Sequence, residues 1–281
     1  MQNLRRTQKL TSSYSCSTSC RDKYETRTPF HFKKAHTGLS YPNQFVSEFG
    51  ASVFSSFESM STVLSEGNWG LHGNPSMKSN CSLVYKNANE CQGSGVLTQR
   101  NYPCDSHIEA YFGDTHHIDE VGKNNFQLQL YQCLLSQMLW MKGTIEELRS
   151  KNSFGTLIWQ MNDNWRSGSW GLLEYDGGLD KRGRWKPLMY LLQRSLFRDV
   201  FATCGASIDG IAGSCYVRND GVAQFDGTLL VEKWYFSGEV RIIFSKSISL
   251  PPNGSIGKFM CSSCVSKSSD ADCHYSIHRI L

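Results

Sequence analysis

"QFVSEFGASVFSSFESMS", residues 44–61, poses the question on which the reading of the chain turns. Phe45 and Val46 begin a short strand-like run that leads directly into Glu48, then into Phe49 and Gly50. A strand end usually carries a turn residue. The carboxylate is therefore either a solvated strand terminus or a functional group at the mouth of a parallel α/β unit, where functional side chains project from the C-terminal ends of strands. Downstream, "NNFQLQLYQCLLSQMLWMKGTIEELRSKN" (124–152) repeats Gln127, Tyr131, Leu134, Leu135, Met138, Met141, Ile145 and Leu148 at steps of three and four. That period predicts an amphipathic helix, with Asn124 or Asn125 as its cap and Lys151 at its C-terminal end. "GTLIWQMND" (155–163) reads as a buried strand, and "KPLMYLLQRSLF" (186–197) as a second apolar helix with Pro187 in its first turn. Strand, helix, strand, helix is the wiring of a parallel α/β unit.

From about residue 200 the texture changes. "GSCYVRND", "GTLLVEKWYF", "EVRIIFSKSISL" and "HYSIHRIL" are short apolar runs separated by Gly, Asn, Asp and Pro. Such spacing predicts a β-sandwich. Residues 51–122 show no period and read as a long irregular insertion; "PFHFKKAHTG" (29–38) reads as a short strand and loop, and residues 1–28 as poorly ordered.

Composition narrows the function classes. A hydrophobic content of 40% with 19% charged residues supports a packed core and argues against global disorder. A net charge of +4 without a dense Lys/Arg tract argues against nucleic acid as a partner. No apolar run reaches the length of about eighteen residues that spans a membrane, so membrane insertion is not expected. Seven Trp suit a sugar-binding face and a large core equally well. Eleven cysteines and the sequons Asn80-Cys81-Ser82 and Asn253-Gly254-Ser255 fit a secreted or lysosomal protein. The start, "MQNLRRTQKLTSSYSCSTSC", carries no apolar signal segment, and a chain lacking its natural beginning reconciles the two. Cys204 with Cys215, and Cys81 with Cys91 or Cys104, are candidate disulfides.

Metal chemistry finds little support. Cys261, Cys264, Cys273 and His274 are zinc-ligand types without the paired spacing of a zinc site, so disulfides or thiols are preferred. His116-His117 beside Asp119 and Glu120 reads as an exposed loop, and "DKRGRWK" (180–186) as a solvated charged face. No metal site and no cofactor are expected. The carboxylates carry more. Glu48 and Asp163 end consecutive strands and form a candidate pair for glycoside hydrolysis, one to attack or activate water and one to protonate the leaving oxygen. Solvated strand termini are the alternative for both.

At this point the two segments resemble a known family. Residues 44–61 resemble the nucleophile segment of the β-mannosidases of glycoside hydrolase family 2, S-E-[FY]-G followed by S-F-x-[ST]. "FGTLIWQMNDNWRSGSWGLLEYDGGLDKRGRWKPLMYLL" (154–192) resembles that family's last barrel strand and helix, G-x-L-x-W-Q-L-N-D-x-W, then S-W, then G-x-W-K-x-L-H-Y. The two stand in the family's order with the helix between them, within a resemblance covering about residues 36–235. It implies an α/β then all-β fold: the C-terminal part of a (β/α)8 TIM barrel followed by an immunoglobulin-like β-sandwich. The implied domains are residues 29–198 for the partial barrel, with the insertion 51–122, and 199–281 for the sandwich.

For the site, the resemblance implies Glu48 as the nucleophile of a retaining mechanism and Trp159 as the platform beneath the terminal sugar. Asn162 and Asp163 orient the substrate or support residues that do, which withdraws the pairing of Glu48 with Asp163. Trp170, like Trp165, either lines the sugar pocket or packs. The implied partner is a β-mannoside oligosaccharide or glycan, bound without a cofactor; oligomeric state is left open. The family's acid/base glutamate follows an asparagine well upstream of the nucleophile, and residues 1–47 contain no Asn-Glu pair. Asn89-Glu90 lies after the nucleophile and reads as coincidence. His31-Phe32-Lys33 stands near the family's H-[FY]-Y position without its tyrosine. The chain is therefore expected to correspond to the C-terminal third of such an enzyme and to be inactive alone. Other family 2 glycosidases and a carbohydrate-binding pseudoenzyme are the alternatives.

Overall fold

The structure is a computed structural model that describes residues 45–72, 97, 103–113, 116–150, 155–164, 168–175, 183–204, 214–235, 237–261 and 273–280. The expected N-terminal segment, the strand at 29–38, His31-Phe32-Lys33, Asn80, Cys81, Asn89-Glu90, Cys91, Trp165 and Cys264 lie outside them. Among the described residues the chain falls into two compact units, one holding Glu48–Met141 and Leu157–Tyr190, the other holding Phe45–Ser47, Lys142–Thr156 and the residues from Leu191 onward.

β1 (Phe45–Phe49), whose residues are divided between the two units, carries Glu48 near its end and pairs with β2 (Gly155–Ile158), divided in the same way. The expected strand over 155–163 is thus only four residues long, and it is not buried: Leu157, Trp159 and Met161 are all about half exposed. The apolar letters were right for a strand. Burial depends on what covers the strand, which its composition does not specify.

The long helix is α3, Lys123–Ser150. Its buried stripe runs through Phe126, Leu130, Cys133, Leu134, Gln137, Met141, Ile145 and Leu148, while Tyr131 stands exposed. The period was legible, but the stripe is rotated by about one residue at its N-terminal half. Both candidate asparagine caps fall inside the helix, where Asn125 Nδ2 donates to Val121 O at 3.1 Å.

Residues 51–122 are not merely an irregular excursion. They contain α1 (Phe57–Met60), a 3-10 turn at Glu66–Asn68, α2 (Pro103–Phe112) and a second 3-10 turn at His116–Asp119. Val53, Phe54, Met60, Leu71, Leu97, Cys104, Ile108 and Ile118 from this stretch pack with Phe126, Leu130, Cys133 and Leu134 of α3 into one core. Cys104 is bonded to Cys133, joining α2 to α3, which removes Cys104 as one of the two candidate partners of Cys81. Helices of four to ten residues are too short to show a period. Pro103 in the first turn of α2 was the available signal.

His72 lies between two carboxylates, with Nε2 2.6 Å from Asp105 and Nδ1 2.5 Å from Asp119. It ties the 66–72 segment to α2 and to the second 3-10 turn. Burial opposes its protonation, but the two aspartates outweigh that and raise its pKa above 6.5. A histidine pKa raised on folding contributes stability that is complete below about pH 6.5 and is lost as pH rises through the folded value. His107, on α2, is partly buried with its Nδ1 shielded from solvent, and burial lowers its pKa to about 4. Its contribution has the opposite sign: it is present above about pH 6.5 and lost as pH falls toward 4. A comparison of the parent with His72→Gln isolates the first effect, because both keep His107. The parent's Tm advantage is expected at pH 5–6 and to vanish at alkaline pH. An advantage independent of pH would remove the protonated clamp.

The second unit holds the C-terminal part of α3 and, beyond α4 (Pro187–Leu191), a π-helical turn at Leu192–Leu196. Among the described residues six strands follow: β5 (Val200–Cys204), β6 (Ser214–Asn219), β7 (Phe225–Tyr235), β8 (Val240–Leu250), β9 (Ser255–Met260) and β10 (Cys273–Ile280). They form two antiparallel three-stranded sheets, ordered β5-β6-β9 and β10-β7-β8. Cys215, Val217 and Phe259 from the first sheet share one apolar core with Leu229, Val231, Ile248 and Leu250 from the second. The four expected strand runs are β6, β7, β8 and β10; β5 and β9 were not foreseen. Cys204 pairs with Cys215 as expected, and Cys261 is also disulfide-bonded rather than a metal ligand.

Arg149, in the last turn of α3, anchors this unit. It donates to Leu196 O, to Arg198 O at 2.9 Å and to Asp220 at 2.6 Å, and its guanidinium lies 4.5 Å above the Phe201 ring. One planar fork thus satisfies carbonyls at the end of the π-helical turn and a carboxylate beside β6.

Candidate active site

The site is built where the two sequence segments meet. Phe49 O accepts a 2.8 Å hydrogen bond from Trp159 N, so the residue after Glu48 is bonded to the end of β2. Gly50 follows. A Cβ there would stand 2.0 Å from Trp159 O and 3.2 Å from Trp170 Cδ1, so only glycine admits this approach. The Trp159–Gln160 peptide is cis. Glu48 is partly exposed and Trp159 is 48% exposed, while the Trp170 ring lies against Gly50. Asn162 is exposed, and its Nδ2 donates to Asp163 O at 3.0 Å. These four residues reach solvent around one strand-end cluster.

Asp163 does not. It is fully buried, and its carboxylate accepts from Ser55 Oγ at 3.0 Å, Gly171 N at 2.9 Å and Lys186 Nζ at 2.8 Å. Of the two roles expected of Asp163, orienting the substrate directly or supporting residues that do, its full burial and these three partners fit the second. Lys186 is also fully buried, so the reading of 180–186 as a solvated face fails at this residue. Burial pushes the Lys186 ammonium below the usual lysine range against the pull of Asp163. A Cβ on Gly171 would come within 2.3 Å of both the Asp163 amide nitrogen and its Oδ1.

A second buried carboxylate makes the same kind of connection. Glu174, on β3 (Leu173–Glu174), accepts from Ser56 N at 2.9 Å, Ser56 Oγ at 2.8 Å and Ser59 Oγ at 2.6 Å. β3 pairs with β4 (Arg184–Trp185). Arg184 Nε approaches Glu174 at 3.9 Å. Phe57 meets Trp69 and Phe126 edge-on at 5.1 and 6.1 Å. The serine-rich stretch after Glu48 is therefore a set of donors for two carboxylates of the second segment. From α3, buried Gln137 donates to Ala51 O at 2.9 Å, adding a third tie.

Sequence reasoning missed Ser55, Ser56, Ser59, Gln137, Glu174 and Lys186. A cluster of serines beside an apolar run, a glutamate inside "GLLEY" and a lysine inside "RWKP" were the available signals, since buried polar groups require partners. Among the described residues no group of three or more His, Cys, Asp or Glu is placed to hold a metal ion.

By fold, the chain is similar to the exo-chitosanase CsxA of Amycolatopsis orientalis, with a TM-score of 0.51 at 15% identity, covering 92% of this chain and 30% of that one. That likeness is one of fold; taken with the sequence relatives that follow, it supports a resemblance to the glycoside hydrolases of family 2. In sequence its resemblance is to β-mannosidases: it is 27% identical over 159 residues to that of Capra hircus, and 28% identical over 182 residues to β-mannosidase A of Aspergillus clavatus. The first match covers 54% of this chain and 16% of the relative, the second 60% and 17%. No family model matches the chain.

Proposed function

We propose that this chain carries the nucleophile side of the active site of a retaining exo-β-mannosidase, which removes terminal β-D-mannose from oligosaccharides or glycoproteins. The observation that carries the reading is the direct bonding of the Glu48 segment to the Trp159 segment, the two stretches that resemble β-mannosidases. In this reading residues 29–198 are the C-terminal part of a TIM barrel and 199–281 an immunoglobulin-like sandwich. Glu48 attacks the anomeric carbon to give a covalent glycosyl-enzyme, and Trp159 supports the apolar face of the terminal sugar. Asn162 and Trp170 border the sugar, and Asp163 fixes the loop that presents them. The reaction proceeds on carboxylates alone, without metal or organic cofactor. The disulfides support a secreted or lysosomal location.

These 281 residues hold no Asn-Glu pair before Glu48, so we assign the acid/base outside them. Loss of general acid catalysis lowers rates by about 10²–10⁴. An unactivated β-mannoside is therefore not turned over by the chain alone. A substrate with a fluoride leaving group needs no acid, which makes the nucleophile testable in isolation. Incubation with 2-deoxy-2-fluoro-β-mannosyl fluoride is expected to add one fluoroglycosyl group to the peptide containing Glu48, and to add nothing to Glu48→Gln. Labelling on another residue, or none on a folded chain, would falsify the assignment. Faster labelling by the gluco- or galacto-configured reagent would move the substrate within the family.

A further inference from the structure

We infer that Asn253 is an N-glycosylation site, carrying an oligosaccharide on the connection between β8 and β9. The segment Pro251-Pro252-Asn253-Gly254 links the end of one sheet to the start of the other, and Asn253-Gly254-Ser255 is an N-x-S acceptor. The geometry separates backbone from side chain. Asn253 N donates to Gly221 O at 2.9 Å and Gly254 N to Asn219 O at 2.7 Å. The Asn219 side chain in turn holds Ala223 O at 2.9 Å, Leu250 O at 3.3 Å and Pro251 O at 3.1 Å. The turn is thus fastened inward through main-chain groups. The Asn253 side chain is exposed and makes no hydrogen bond among the described residues.

The competing explanation is conformational. Asn253 has φ 65°, and asparagine tolerates the left-handed region better than most residues. That accounts for asparagine at 253 but not for serine two positions later. Independently, Cys104–Cys133, Cys204–Cys215 and the disulfide-bonded Cys261 require an oxidising compartment, where glycosyl transfer to such acceptors occurs. In that reaction the Asn253 carboxamide nitrogen attacks the anomeric carbon of a lipid-linked pyrophosphate oligosaccharide. The C–N bond forms, the C–O bond to pyrophosphate breaks, one amide proton passes to a base, and the lipid pyrophosphate departs. No redox step is involved. An exposed, inward-fastened turn lets the product stand in solvent without disturbing either sheet.

The test is expression of the 281-residue chain behind a cleavable signal in a eukaryotic secretory host, followed by peptide mapping. Peptide-N-glycosidase digestion in ¹⁸O water is expected to convert Asn253 to labelled Asp, with the modification lost in both Asn253→Gln and Ser255→Ala. The serine variant keeps asparagine at φ 65°, so it separates loss of the acceptor from loss of the turn. Ser255→Thr is expected to retain the glycan. Unmodified Asn253 in secreted chains with the Cys204–Cys215 disulfide formed, including the case of glycan on Asn80 alone, overturns the assignment.

Discussion

Replacing Lys186 with methionine is expected to cost about 3–5 kcal/mol, the usual penalty for removing one partner of a buried ion pair. Lys186 and Asp163 are both fully buried, 2.8 Å apart. Methionine fills most of the lysine stem's volume, so the loss is electrostatic: among the described residues the buried carboxylate then keeps Ser55 and Gly171 N as donors. Such a loss is a large part of the 5–15 kcal/mol that stabilises an ordinary domain. Asp163→Asn in the Lys186→Met background is expected to recover much of it, because the neutral amide oxygen still accepts from Gly171 N without leaving a buried charge. Removing both groups outright recovers less, since Ser55 and the Gly171 amide then lose their acceptor. Urea unfolding of the three variants measures the differences. A single Lys186→Met variant within 1 kcal/mol of the parent would mean that water reaches the pair.

That pair also marks the limit of what the sequence reveals. Glu48, Trp159, Asn162 and Trp170 stand in two contiguous stretches that the sequence singles out, and the structure bonds those stretches to each other through Phe49 and Trp159. Lys186 was not. It sits in a run with Asp180, Lys181, Arg182 and Arg184, and local composition reports a charged loop whether or not one member turns inward. Its partner lies 23 residues upstream, a separation without periodic signature. The same holds for Glu174, whose serine donors lie 115 to 118 residues earlier. Long α3 announced itself through many repeats of one period, whereas α1 and α2 are too short to repeat anything. In the second unit, β7 and β8 are eleven-residue runs with clear composition. β5 and β9 are shorter, and β9, "SIGKFM", is interrupted by Gly257. Strand length and the neighbours that cover a face are tertiary properties, which explains why "GTLIWQMND" was recognised as a strand but given the wrong extent and burial.

Gly50→Ala is expected to abolish fluoroglycosyl labelling of Glu48 on the timescale that labels the parent. Cβ atoms essentially never approach another heavy atom within 3.0 Å, and here the distance would be 2.0 Å to Trp159 O. The obstacle is backbone, so no rotamer relieves it. Nor is the carbonyl free to swing: Trp159 N is bonded to Phe49 O at 2.8 Å, Gln160 N to Trp170 O at 3.3 Å, and Leu172 N to Gln160 O at 3.2 Å. About an ångström must therefore open between the Glu48 strand end and the Trp159 strand end, a displacement that costs on the order of 10² in rate when reacting groups depend on it. The control is Gly113→Ala at the end of α2, where φ is 76° and no atom lies within 4 Å of the new methyl. Left-handed strain of about 1–2 kcal/mol is expected there, with no change in labelling once the chain is folded. If both variants lose stability but only Gly50→Ala loses labelling, the contact between the two segments positions the nucleophile. If Gly50→Ala labels at the parental rate, the close approach of Gly50 to Trp159 has no part in presenting Glu48.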